Sequence, residues 1–236
     1  MNKTILAIAL LLPVGLLSSR QQETRPDPYE KVLENEYIRV SRMDFDTTQP
    51  AVPAEARPEL GFAKIGTVLI ALEQYTKAEW AELGANQVTY KFVDASYADE
   101  GHKLSYGLHE FPGPVFRVIK VELKAPPPTG PFEQDAVKLD PTHNEVLFEN
   151  GRARVVRIHF PPGESGPIVD KRPRVIILLT DTHAEVQLPN GTLSPRDSRS
   201  GTIQWSLGGS QATINGKIWP LENVVVEIKR AEPKGK

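Results

Sequence analysis

The sequence contains no cysteine, which excludes a disulfide framework, a thiol nucleophile, an iron–sulfur cluster and a zinc knuckle. Positive charge is not in excess. The 28 Lys+Arg face 30 Asp+Glu, and a formal charge of −2 leaves no basic footprint for nucleic acid. Past the N-terminus no apolar run is long enough to span a bilayer. G-x-S-x-G, G-x-x-x-x-G-K-[ST] and H-E-x-x-H do not occur, so α/β-type serine hydrolysis, P-loop phosphate binding and zincin chemistry have no support. Asn190-Gly191-Thr192 matches a glycosylation sequon, a pattern frequent by chance. No pair of carboxylates is placed by spacing as acid and base. What is present is apolar content of 39% in 236 residues, too much for a disordered chain and enough for a sizeable core.

Residues 1–19 read as a signal peptide. Asn2-Lys3 supplies a positive start, Ile5 to Leu17 an apolar stretch of signal-peptide length, and Ser18-Ser19 small residues for cleavage, although Leu17 is an imperfect −3 residue. The alternative is an uncleaved anchor. The expected location is periplasmic or extracellular, and a periplasm permits disulfides without requiring them. Residues 20–29 form a tail.

The body of the chain alternates at period two. Tyr37 to Met43, Ala153 to Phe160, Ala184 to Leu188 and Thr202 to Trp205 alternate. Val68 to Leu72, Val175 to Leu179 and Val224 to Ile228 are continuous apolar runs, expected of strands buried on both faces. Pro161-Pro162-Gly163, Pro189-Asn190-Gly191 and Gly208-Gly209 separate them, with Asn190-Gly191 suited to the φ > 0 positions of a tight hairpin. One short helical turn is predicted, over Lys77 to Leu83. The fold class is all-β, a sandwich or barrel with little helix.

The chain repeats itself. Glu34-Asn35-Glu36-Tyr37-Ile38-Arg39-Val40-Ser41-Arg42-Met43-Asp44-Phe45 returns as Glu149-Asn150-Gly151-Arg152-Ala153-Arg154-Val155-Val156-Arg157-Ile158-His159-Phe160, with the hydrophobic phase kept. Lys64 to Leu72 returns as Lys171 to Leu179, and Val121 to Lys124 as Val226 to Lys229. The predicted organisation is a first unit over 30–125, a Pro-rich linker over 126–145, a second unit over 146–230 and a tail over 231–236. Consecutive prolines at Pro126-Pro127-Pro128 stiffen such a linker.

The second copy resembles the cupin superfamily. Phe160-Pro161-Pro162-Gly163-Glu164-Ser165-Gly166-Pro167-Ile168-Val169-Asp170-Lys171-Arg172-Pro173 is similar to its first motif, and Gly208-Gly209-Ser210-Gln211-Ala212-Thr213-Ile214-Asn215 to its second. The resemblance implies two tandem double-stranded β-helix (jelly-roll) units, a bicupin. It also implies a metal held by about three His and one carboxylate. Here Val169 and Lys171 stand at the His-x-His positions, Gln211 at the second-motif His, and no Asp or Glu lies in Val175 to Leu179. Val cannot ligate, and Lys is cationic unless strongly desolvated. The expectation is therefore no metal and no cofactor. The first copy matches less well: Asp46 to Phe62 has no His and reads as an irregular loop.

Lys171, Arg172 and Arg174 cluster at the mouth of the expected second barrel. One reading is a pocket for a small anionic or polar ligand, lined by Lys171, Arg174, Gln211 and Asn215, since Arg suits bidentate anion recognition. The other is a solvated charged edge that protects a sheet. His102 and His109 are remnant-site candidates, with Asp94, Asp99 or Glu100 nearby, or else surface loop residues. His143 reads as a turn residue, His159 as exposed on a strand, and His183 as solvated at a hairpin start. Trp80, Tyr90, Trp205 and Trp219 read as core or rim packing before sugar stacking. The functional expectation is an exported binding or scaffold module. The alternative is a cupin-type enzyme, an isomerase, epimerase or dioxygenase, with His102 or His109 and Tyr106 as acid and base. A homodimer by sheet-edge pairing is a third reading.

Overall fold

The computed structural model describes residues 29–46, 60–76, 88–104, 115–128 and 133–229. Fourteen strands carry the fold: β1 (Glu30–Glu34), β2 (Ile38–Asp46), β3 (Thr67–Thr76), β4 (Val88–Ala98), β5 (Val115–Leu123), β6 (Asn144–Glu149), β7 (Ala153–Phe160), β8 (Val169–Lys171), β9 (Arg174–Leu178), β10 (Thr182–Gln187), β11 (Leu193–Ser198), β12 (Ile203–Ser206), β13 (Gly209–Asn215) and β14 (Leu221–Ile228). Among the described residues the one α-helix is a single turn, α1 (Ala136–Leu139), N-capped by Asp135, whose side chain accepts from the Val137 amide. The predicted turn at Lys77 to Leu83, the signal segment, His109, Tyr106 and Trp80 lie outside the described residues.

Residues 153–228 close into a double-stranded β-helix. One sheet runs β12-β9-β14-β7-β6 and the other β11-β10-β13-β8. Every named pairing is antiparallel, and consecutive strands alternate between the two sheets except at the β10–β11 hairpin. That hairpin corrects one expectation. Of the Asn190-Gly191 pair only Gly191 has positive φ (84°), and among the described residues no residue other than glycine does. Pro189 fixes its own φ near −65°, so the turn closes by a Gly191 N–H donating to the Leu188 carbonyl, and the Leu188 N–H then bonds Thr192 O. This is a type I turn followed by a glycine bulge.

The first unit has one sheet, β1-β2-β5-β3-β4, which matches β6-β7-β14-β9-β12 strand for strand. The repeat is physical. Asn35 Oδ1 accepts from the amides of Tyr37 and Ile38, and Asn150 Oδ1 from those of Arg152 and Ala153, forming the same turn before β2 and β7. Bulges interrupt β1 at Val32 and β6 at Leu147, equivalent positions. The carboxyl–Arg pairs repeat too, Arg39 beside Glu122 and Arg154 beside Glu227. A second sheet is not among the first unit's described residues. The inner face of its sheet (Met43, Leu69, Ala71, Phe116, Val118) is covered by Leu60, Ala63 and Leu104 from irregular segments. The expectation of two jelly-roll units is thus met as a full barrel in the second unit and one equivalent sheet in the first.

The two equivalent sheets pack face to face. Ile38, Val40, Val68, Ile70, Leu72, Ile119 and Val121 meet Val155, Val175, Ile177, Leu179, Val224, Val226 and Ile228 in one core. The contact is reciprocal: β1 lies against β12 and β4 against β6. Tyr37 stacks on Trp205 at 5.8 Å, and at the equivalent positions Arg152 reaches Tyr97. This explains the continuous apolar runs. One face of β9 and β14 looks into the barrel and the other into the neighbouring sheet, so neither face meets water.

Candidate functional site

The barrel interior of the second unit holds a cavity of about 270 Å³. Alternation builds its walls. Arg174, Ile176 and Leu178 point inward from β9, Leu221, Asn223 and Val225 from β14, Lys171 from β8, and Gln211 and Thr213 from β13. Arg196 and Gln204, both exposed, stand at its mouth. The volume equals roughly nine waters at about 30 Å³ each, room for a small metabolite and not for a polymer.

Lys171 and Arg174 are buried, at 8% and 4% exposure, which overturns the solvated-edge reading for these two residues. Only Arg172, between them on the outside, keeps partial exposure. Lys171 Nζ donates to Thr213 Oγ1 at 2.9 Å. Its pKa falls well below the ordinary lysine value, first through burial and second through the neighbouring Arg174 charge. Burial also pulls Arg174 down to about 10, against the opposing pull of Glu227. Glu227 is the register neighbour of Arg174 on β14, but its Oε2 is held by Arg154, at 2.7 Å from Nε and 2.6 Å from Nη2. Arg154 also binds Asp135 through both terminal nitrogens. The carboxylates at this end are thus already engaged, and two cations face the cavity with no carboxylate among its lining residues.

Three further polar atoms converge there. Arg174 Nε, Thr182 Oγ1 and Asn223 Oδ1 are buried without a hydrogen-bond partner among the described residues, and all three residues line the cavity. Each such group costs about 1–3 kcal/mol when left unpaired. Thr182 and Asn223 were not legible as site residues. Thr182 opens a strand that looked solvated, and Asn223 directly precedes the apolar run of β14.

Of the four predicted ligand-binding residues, Lys171, Arg174 and Gln211 line the cavity. Asn215 sits at the barrel's end, where its Nδ2 donates to the carbonyls of Phe160, Pro161 and Trp219. It ties the β13–β14 connection to the Pro-Gly turn. His102 is exposed in the turn after Asp99. Trp205 and Tyr90 join the inter-sheet core, as the packing reading expects.

His143 has more structure around it than a plain turn residue. Its Nδ1 lies 2.7 Å from Asp140 Oδ1, its Nε2 2.9 Å from Glu164 Oε2, and its ring stacks on Phe160 at 4.1 Å. Burial disfavours the charged ring, but the bonds to Glu164 and Asp140 outweigh it and hold its pKa above the ordinary value. The sequence signal was Asp140-Pro141-Thr142-His143, an i,i+3 carboxylate on a turn.

The metal set that the cupin resemblance implies can be tested on the residues present. Alternation does turn Val169 and Lys171 inward, while Asp170 faces out to the Glu133 and Gln134 amides and to Ser210. Gln211 stands opposite Val169 across the β8–β13 ladder. The positions converge but the donors do not fit: Val169 has no donor atom, and the Lys171 ammonium or amine is bonded to Thr213. Among the described residues no group of three or more His, Asp or Glu is placed to hold a metal ion.

No family model and no curated protein matches the chain. Solved structures do. A cupin domain from Bordetella pertussis Tohama I is 22% identical and covers 37% of this chain and 92% of its own, with a TM-score of 0.35. AerE from Microcystis aeruginosa is 13% identical over 86% of this chain and 97% of its own, at 0.45. A cupin 2 conserved barrel domain protein from Leptotrichia buccalis is 11% identical over 85% and 88%, at 0.42. Independently of these likenesses, the strand orders β12-β9-β14-β7 and β11-β10-β13-β8 identify the second unit as the double-stranded β-helix, the fold of the cupin superfamily.

Proposed function

We propose that this is an exported, cupin-fold binding protein whose second barrel takes up a small organic anion without a metal. The observation that carries the reading is the convergence of two buried basic side chains, Lys171 and Arg174, with unpartnered polar atoms of Arg174, Thr182 and Asn223 on one cavity. A carboxylate would neutralise the cations and accept from Arg174 Nε. A hydroxyl on the same ligand would accept from Thr182 Oγ1 and donate to Asn223 Oδ1. The apolar walls Ile158, Ile176, Leu221 and Val225 suit a short carbon chain. Residues 1–19 support export of the module.

The test is thermal unfolding against a panel of small carboxylates and phosphate esters in low-chloride buffer. A ligand at about 100 times its Kd adds about 2.7 kcal/mol, or roughly 5–11 °C for a domain of this size. Arg174→Gln is expected to weaken the responding ligand about tenfold or more, since a charge-assisted bond is worth about 1.5–3 kcal/mol. A panel with no responder, or a response undiminished by both Arg174→Gln and Lys171→Met, overturns the reading.

A further inference from the structure

We infer that Lys171 is a covalent site, whose amine condenses with the carbonyl of a small 2-oxo acid while Arg174 holds that acid's carboxylate. The inference rests on the anion-binding reading of the same cavity and adds a reaction to it. Lys171 is buried on β8, lines the cavity, and donates to one side chain, the hydroxyl of Thr213. That partner is neutral. No carboxylate forms an ion pair with the amine among the described residues; the nearby Glu227 and Asp140 favour its charged form, but they are bonded to Arg154 and His143 and act on it less than burial and Arg174 do. Arg174 follows Lys171 by three residues, lines the same cavity, and keeps its charge far more readily than a lysine does.

A lysine in an apolar wall beside another cation lowers its own electrostatic cost by releasing its proton. Burial and the Arg174 charge both push Lys171 that way. The neutral amine can give one N–H to Thr213 Oγ1 and still present its lone pair to the cavity. This is the environment in which lysine serves as a nucleophile toward carbonyls. The step balances without an oxidant or reductant. The nitrogen lone pair forms a bond to the carbonyl carbon, a proton passes from nitrogen to the former carbonyl oxygen, and the second nitrogen proton joins that hydroxyl as the C–O bond breaks, so that one water leaves and the neutral imine remains. A 2-oxo acid fits because its carboxylate is adjacent to the reacting carbon, so one small molecule can reach Arg174 and Lys171 together. The role is unlike that of a cupin metal ligand, although Lys171 occupies such a position.

The test incubates the full chain with pyruvate near neutral pH and reduces with borohydride. Intact mass and peptide mapping then read the product. One reduced adduct per chain, mapped to Lys171, is expected. Lactate, which has the carboxylate but no carbonyl, is expected to bind without adduct and, in excess, to slow pyruvate trapping roughly tenfold. Lys171→Met abolishes trapping, and lactate protection gives the same information without a variant. Pyruvate and lactate both raising the melting temperature with no adduct overturns the covalent inference and leaves the anion-binding reading standing. Adducts spread over exposed lysines such as Lys31 overturn it equally. Absence of any binding by either acid, with anions of other classes also inert, overturns both.

Discussion

Glu227→Gln should destabilise the chain far more than Glu122→Gln, although the two carboxylates occupy the same place in the repeat. Glutamine preserves shape, so the perturbation removes charge and little packing. Glu227 is 3% exposed and bonded to Arg154, itself 7% exposed in its side chain, at 2.6 Å. Removing one partner of a buried pair leaves an uncompensated buried charge and costs about 3–5 kcal/mol. Here Arg174 stands close by and adds to the unbalanced charge. In the first unit Arg39 keeps 44% side-chain exposure, lies 3.8 Å from Glu122, and has Glu34 as a second partner at 2.9 Å. A pair with one end in water is worth about 0.2–1 kcal/mol. For a domain of about this length the two losses correspond to roughly 6–20 °C and to less than about 4 °C. Urea unfolding followed by tryptophan fluorescence and by circular dichroism would measure both. Equal losses, or a loss below about 1 kcal/mol for Glu227→Gln, would refute the claim that the difference in burial sets the worth of the two pairs.

His143 is held protonated by Asp140 and Glu164, so its folded-state pKa is raised. The stability it contributes is complete below the ordinary value of about 6.5 and is lost as pH rises through the higher folded value. The melting-temperature gap between the native chain and His143→Gln should therefore be wider near about pH 5.5 than near about pH 8.5, and an equal gap at both would contradict the clasp. Gly208 has φ of +86°, and a Cβ there would meet the Lys171 carbonyl at 1.9 Å. Gly208→Ala should cost more than about 2 kcal/mol, against about 1 kcal/mol for Gly191→Ala, which has a similar φ and open space around it; calorimetry of the two variants checks the order. Ile177 is fully buried in the core shared by the two units. Ile177→Ala should cost about 2–5 kcal/mol and keep a single unfolding transition; two separate transitions in the native chain would show that the units do not share that core.

The barrel strands were legible where one physical cause dominated. Ala153 to Phe160 alternates because Val156, Ile158 and Phe160 meet the barrel interior while Arg157 and His159 on the opposite face stay partly exposed, and β7 has those bounds. Val175 to Leu179 and Val224 to Ile228 announced burial on both faces, but not that the second face belongs to the other copy. The strand β11, Leu193–Ser198, was missed because its composition is that of a turn, with Ser194, Pro195, Arg196 and Asp197 on an edge strand that satisfies its backbone through β10 alone. In the site, Lys171 and Arg174 were visible as charges at the mouth of the expected barrel, and the structure buries them on β8 and β9. Whether they faced solvent depended on Arg154 capturing Glu227, a contact across 73 residues of sequence. In the first unit the repeat keeps the strands of the sheet that packs on the other copy, and these were the segments legible as a repeat.

The pairing of β2-β5-β3 on β7-β14-β9 has the reciprocity of a two-fold interface between identical subunits, yet both halves belong to one polypeptide. Between separate chains, such a contact would weaken on dilution and stability would track abundance. Joined covalently through the segment from β5 to β6, each sheet meets the other at an effective concentration on the order of millimolar, whatever the number of molecules present. The melting temperature of this chain should not depend on how much of it there is through this contact. A barrel backed in this way keeps its interior cavity walled from behind at high dilution, a condition under which an obligate dimer of single barrels would come apart.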